Sequence, residues 1–152
     1  MDNNKQKPVV LADGEENRKI TRRVLECLNR YPHLPVNQIS YGMLLPNKQG
    51  LALATQQGAV ITARYICGGH KAEYTFALVY RIQPGNSLDK RLKADELLDS
   101  LGDWAATQRP ELEGASPLGF RVMERACLAE VYDGGDEDHQ IIMKFTYERV
   151  DL

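Results

Sequence analysis

Residues 133–139 read Asp133-Gly134-Gly135-Asp136-Glu137-Asp138-His139, the densest run of oxygen and nitrogen ligands in the chain. Such a run could hold a cation. A calcium loop, however, needs its ligands in a fixed order closing on a bidentate carboxylate, and this run has no such order. Asp-Gly-Gly between two strand patterns is turn chemistry first, because glycine accepts the positive φ of a tight hairpin. The expectation is a hairpin tip with Asp133, Asp136, Glu137 and Asp138 pointing to water.

The other candidates for chemistry also have plain structural readings. His33, His70 and His139 each adjoin a turn signal, and none falls in an HExxH spacing. They are expected on exposed loops. Gly68-Gly69-His70 is too short for a phosphate loop, and no GxxxxGK[ST], GxGxxG or GxSxG pattern occurs. It reads as a hairpin turn. Asp95, Glu96, Asp99 and Asp103 recur at helical spacing. Catalytic carboxylates need a cleft and separated pKa values, so this row is expected to be a solvated helix face. Tyr74, Phe76 and Tyr80 could stack bases, but only Arg64 and Arg81 are near in sequence, and core packing is the reading. Cys27, Cys67 and Cys127 form no CxxC pair. They are expected to be buried thiols of a reducing compartment. No catalytic residue, metal ligand or cofactor is assigned.

These residues need a scaffold. The chain has 152 residues, which suits one domain over 1–152 with a short flexible arm at 1–12. A chain this long buries enough surface to need no disulfide or metal. Its 19 basic and 21 acidic residues give a formal charge of -2, which argues against specific nucleic-acid binding. No signal peptide and no membrane-spanning run is read.

Asp13 followed by Glu16 resembles a capping box. Behind it Ile20, Val24, Cys27, Leu28 and Tyr31 recur at helical spacing, and Pro32 stops the helix. Arg18, Lys19, Arg22, Arg23 and Arg30 form a basic face, read as solvated. A short strand is predicted within 39–45, then strands at 51–55, 59–66 and 73–82. The last alternates, with Tyr74, Phe76, Leu78, Tyr80 and Ile82 on one face. Ser87 caps a long helix whose apolar stripe is Leu88, Leu92, Leu98, Leu101 and Ala105. Gly102 inside it is read as permitting close packing on the sheet. Residues 120–124 and 126–132 read as one strand or as two sharing a bulge, and the last strand follows at 140–150. Strands grouped around helices predict an α+β fold: a mainly antiparallel sheet with hairpins, packed by an N-terminal helix and one long central helix.

With these elements in this order, the chain resembles the minor capsid or tail-terminator proteins of long-tailed bacteriophages and prophages. The likeness is carried by the helix at 20–31, the sheet at 51–82 ending in Tyr74-Thr75-Phe76-Ala77-Leu78-Val79-Tyr80, and the helix at 93–107 with Leu97-Leu98 and Trp104. The closing hairpin, ending Ile141-Ile142-Met143-Lys144-Phe145-Thr146-Tyr147, completes it. It spans most of residues 15–150. The resemblance implies a virion structural protein, assembled in the bacterial cytoplasm, that forms a homo-oligomer, a hexameric ring. Such a ring caps the tail tube and joins it to the head, so its partners are the tail tube protein and head-tail connector proteins. It implies contacts through 67–71 and 133–139, hence Gly68, Gly69, His70, Asp133, Asp136, Glu137 and Asp138. Two other readings stand beside it: a small ligand-binding or regulatory domain, and a metal-dependent enzyme using the acids of 133–139.

Overall fold

The computed structural model describes residues 8–150. Helix α1 (Gly14–Leu28) starts where the sequence places it. The Asp13 carboxylate accepts from the Glu16 amide at 2.8 Å, which satisfies one of the open N–H groups of the first turn. Ile20, Val24, Cys27 and Leu28 are buried along one stripe. Asn29 closes the helix and ties it onward. Its side-chain amide donates to Leu25 O, and its oxygen accepts from Ile39 N at 2.7 Å.

The strands are β1 (Ser40–Tyr41), β2 (Gly50–Ala54), β3 (Ala59–Arg64), β4 (His70–Ile82), β5 (Ser116–Val131) and β6 (Glu137–Arg149). They form a six-stranded sheet in the order β1-β2-β4-β6-β5, with β3 also paired to β4. Every pairing is antiparallel except that of β1 with β2. The fold is therefore α+β with a mainly antiparallel sheet. Strand β4 is its spine: one side pairs β6 along its whole length, and the other is shared by β2 and β3.

Helix α2 (Leu88–Ala105) is capped by Ser87, whose hydroxyl accepts from Lys90 N at 3.2 Å. Both helices cover one face of the sheet. The alternating residues Tyr74, Phe76, Leu78 and Tyr80 of β4 and Ile141, Met143, Phe145 and Tyr147 of β6 fill the space beneath them. Burying each such side chain is worth roughly 1.5–3 kcal/mol. Gly102 lets α2 sit close. A Cβ there would lie 2.7 Å from Ile141 Cδ1 and 3.1 Å from Val122 Cγ2. Gly102→Ala should therefore lower stability in urea unfolding, although alanine favours an isolated helix by about 1 kcal/mol. A gain in stability would show that the helix moves away freely.

Several expectations change here. Leu88 and Leu92 are exposed, and Ala94 occupies the buried stripe instead, because α2 meets the sheet only from its second turn onward. Cys67 and Cys127 are exposed, and only Cys27 is buried. Cys67 sits in the turn beyond β3, and Cys127 sits on the part of β5 that projects past the core. Of the two readings of 120–132, the single strand is the one found: β5 runs unbroken, with four register shifts against β6. Within the arm, Ile61 N donates to Val10 O and Ala12 N to Ala59 O, so this part runs as an extra edge beside β3. Residues 1–7 of the predicted flexible arm lie outside the described residues.

Candidate functional site

The acidic segment departs most from expectation. The turn itself is short: Tyr132 N donates to Asp136 O, and Gly135 takes φ +97°. Strand β6 begins directly after it, at Glu137, and pairs with Ile82, the last residue of β4. Glu137, Asp138 and His139 consequently enter the sheet at 5%, 6% and 2% exposure, and Asp136 is buried just before it at 5%. They do not point to water. Only Asp133 of the four predicted acids is exposed.

Burial of charge is costly unless partners are supplied, and here each acid has one. Asp138 receives a two-pronged bond from Arg81, at 2.7 and 2.9 Å, and a third from the Tyr132 hydroxyl at 2.8 Å. The Arg81 guanidinium also lies 4.7 Å above the Tyr132 ring. Asp138 raises the pKa of Arg81, chiefly through that hydrogen bond. Glu137 accepts from Arg91 of α2 at 2.7 Å, and this bond holds its carboxyl below the usual range against the effect of burial. Asp136 accepts from Asn47 N and Gln83 Nε2, both at 2.8 Å, and these bonds, Asn47's foremost, lower its pKa. His139 bridges Asp95 at 2.8 Å and Glu137 at 3.3 Å.

The row on α2 is likewise engaged. Asp95 holds His139, Asp99 accepts from Ala126 N at 3.0 Å, and Asp103 pairs with Arg125 at 2.9 Å. Glu96 and Asp103 of that row are exposed, as expected, while Asp95 and Asp99 are half-buried. Asp99 thereby takes up an edge amide of β5 at one of its bulges. Nothing in this arrangement leaves carboxylates converging on open space. Among the described residues, no group of His, Cys, Asp and Glu could hold a metal ion.

At the opposite end of the sheet, Glu16 plays the matching part. Its carboxylate accepts from the Tyr147 hydroxyl at 2.8 Å and Arg149 at 3.1 Å, and lies 2.9 Å from His70 Nε2. Burial alone would raise its pKa, but these three partners together lower it. Tyr147 is pushed above the usual phenol range by burial and by that carboxylate. His70 is thus a structural ligand of the α1 terminus and not an exposed loop residue. His33 alone is exposed, edge-on to Tyr31. Gly68 and Gly69 both take positive φ in the β3–β4 turn, as the hairpin reading requires. A Cβ on Gly69 would lie 2.0 Å from Arg149 O, so glycine is needed there for close approach as well.

Beside these paired groups, the surface also carries exposed apolar side chains. Met123, Leu128, Val131 and Tyr132 are exposed along the outer strand β5. Tyr41, Met43 and Leu45 are exposed at the opposite edge, on β1 and the loop after it, and Val9, Val10 and Leu11 beside β3. Ile66 stands fully exposed at the tip of the β3–β4 hairpin. Sequence reading missed these because exposure of a strand residue depends on whether a helix lies above it. The clue was the run 126–132, whose apolar residues do not alternate cleanly.

No protein-family model matches the chain, and no curated protein matches it. One solved structure aligns with 93% of this chain and 99% of its own, at 16% identity and a TM-score of 0.45. A likeness at that level carries no argument about fold or function.

Proposed function

We propose that this chain is a structural subunit that works by assembling with copies of itself, and that it serves as a tail-terminator or minor capsid protein of a long-tailed phage. The observation that carries the assembly reading is the pair of unlike sheet edges. Strand β5 presents Leu128 and Val131 on one side of the molecule, and β1 with its following loop presents Tyr41, Met43 and Leu45 on the other. Exposed apolar residues gathered at sheet edges mark interaction surfaces. Two different patches that bind each other join head to tail, and such contacts close into rings when the rotation allows. The phage assignment rests on the element order and on the strand and helix segments that resemble that family. A ring built so would act by shape, capping a tube and offering a face to connector proteins.

Light scattering across a wide concentration range tests the assembly reading. The expected result is a mass that rises with concentration to a fixed multiple of the chain, six in the hexameric case. A monomer mass at every concentration contradicts it.

A second reading has its own observation. A cleft of about 480 Å³ lies between α2 and the sheet, lined by Pro35, Tyr80, Ile82, Lys90 and Leu97 among others. That volume suits a small ligand. A rise in melting temperature with one member of a metabolite panel would favour a ligand-binding domain.

A further inference from the structure

Leu88 and Leu92 belong to the apolar stripe of α2, yet they are 68% and 52% exposed. Their surroundings explain what they face. Leu128 lies opposite His139, and Val131 lies opposite Glu137, in the β5–β6 ladder. Directly paired residues project from the same face of a sheet. That face is the one α2 reaches, since Arg91 holds Glu137 and Asp95 holds His139. Leu88 precedes Arg91 by three positions, and Leu92 precedes Asp95 by three, so they share that side of the helix. Leu128 and Val131 are themselves 48% and 59% exposed.

These four exposed side chains lie on that one side of the sheet, on α2 and on the end of β5, and the strip between them is termed the trough. Its floor is the chain of partners Arg91, Glu137, His139 and Asp95. It continues along α2 past Asp99 and Asp103, so carboxylates outnumber the guanidinium groups of Arg91 and Arg125.

The other end of the sheet carries the complement. The β3–β4 turn lifts Ile66 clear of the fold. Arg64 and Lys71 flank it, and neither makes an ion pair among the described residues. The tip is apolar and basic, while the trough is apolar and acidic.

We infer that the β3–β4 hairpin tip of one copy seats in the α2–β5 trough of the next, with Ile66 between the leucines and Arg64 and Lys71 against the acid row. This rests on the assembly reading above, and it sets the hairpin tip, in place of the β1 edge, as the partner of the β5 patch. Tip and trough lie where β4 begins and where it ends. Joined head to tail, each copy leaves a tip or a trough free for the next, whereas a two-fold pair would join tip to trough reciprocally and stop at the dimer.

The native cysteines report on it. Cys67 is in the tip, and both it and Cys127 are exposed, whereas Cys27 is buried. Cys127 precedes Leu128 on the edge strand and projects from the other face, so the linker must pass around that edge. A bis-maleimide linker long enough to do so, applied to the full chain, should give a ladder of linked species ending at the ring size. Peptide mass spectrometry should find Cys67 joined to Cys127. Cys67→Ser or Cys127→Ser alone should abolish the ladder while light scattering still shows full assembly. Mixing the two variants should give linked dimers only, one of each kind. Linked dimers that survive within either single variant would overturn the inference, because like would then be meeting like. Wild-type assemblies without a Cys67–Cys127 link would overturn it too, and would leave the assembly reading standing. A monomer at every concentration would remove both.

Discussion

Arg81→Met is expected to destabilise the folded chain by about 3–5 kcal/mol, the usual cost of removing one partner from a buried ion pair. Asp138 is 6% exposed and would keep only the Tyr132 hydroxyl. Arg81 also donates to Leu44 O and Leu45 O, at 3.5 and 3.4 Å, so the loop after β1 would lose its anchor as well. Asp138→Leu alone should cost a similar amount. The double variant should cost clearly less than the sum, because the apolar pair leaves no charge stranded. Urea unfolding of the four proteins measures this. Additive losses would mean that the two side chains do not act as a pair.

The Glu16 knot should give the second large effect, and its sign with pH can be worked out. Glu16 has an ordinary pKa of 4.5 that is lowered in the folded chain. A lowered carboxylate binds its proton less readily when folded. Its contribution is therefore fully present above about pH 4.5 and is lost as pH falls through the folded value. Glu137 and Asp136 are shifted the same way, so they add to the same acid limb. Glu16→Gln removes the charged acceptor for Tyr147 and Arg149. Hydrogen bonds to charged groups are worth about 1.5–3 kcal/mol, and a loss of that order is expected at neutral pH. The gap between variant and wild type should narrow steadily as pH drops below 4.5. A gap that stays constant through the acid range would show that Glu16 is not charged in the folded state.

Both effects concern residues that the sequence only half reveals. The alternation of β4 and β6 made their buried faces legible, because period-2 patterning with aromatic residues has one solution on a half-covered sheet. The Asp13–Glu16 helix start was legible too, as was the Gly68-Gly69 turn. The destiny of the acids was not. Arg81 pairs with Asp138 and Arg91 with Glu137, partners 57 and 46 residues apart. Local chemistry alone favours Asp-Gly-Gly as an open tip. Long-range pairing carries β6 back to Glu137, pulls two acids and a histidine into the sheet and buries Asp136 beside it. Arg81, the one charged residue between Tyr74 and Ile82, was the available hint that a carboxylate had to lie opposite.

Hairpin tips at 67–71 and 133–139 were the expected contact segments. In the fold Cys67 of the first is exposed, with Ile66 beside it, whereas Asp136, Glu137 and Asp138 of the second are buried, and the exposed apolar residues near them are Leu128 and Val131 with Leu88 and Leu92. The helical stripe predicted all its members inside, but α2 overhangs the sheet at its first turns. Residues that fit a core pattern and find no core above them are what an assembling protein would be expected to carry.

Electron microscopy of the purified chain at high concentration tests the central claim most directly. The account predicts closed rings with a central opening, in which one contact repeats head to tail around the circle. Particles that are only monomers, or only two-fold dimers, would contradict it.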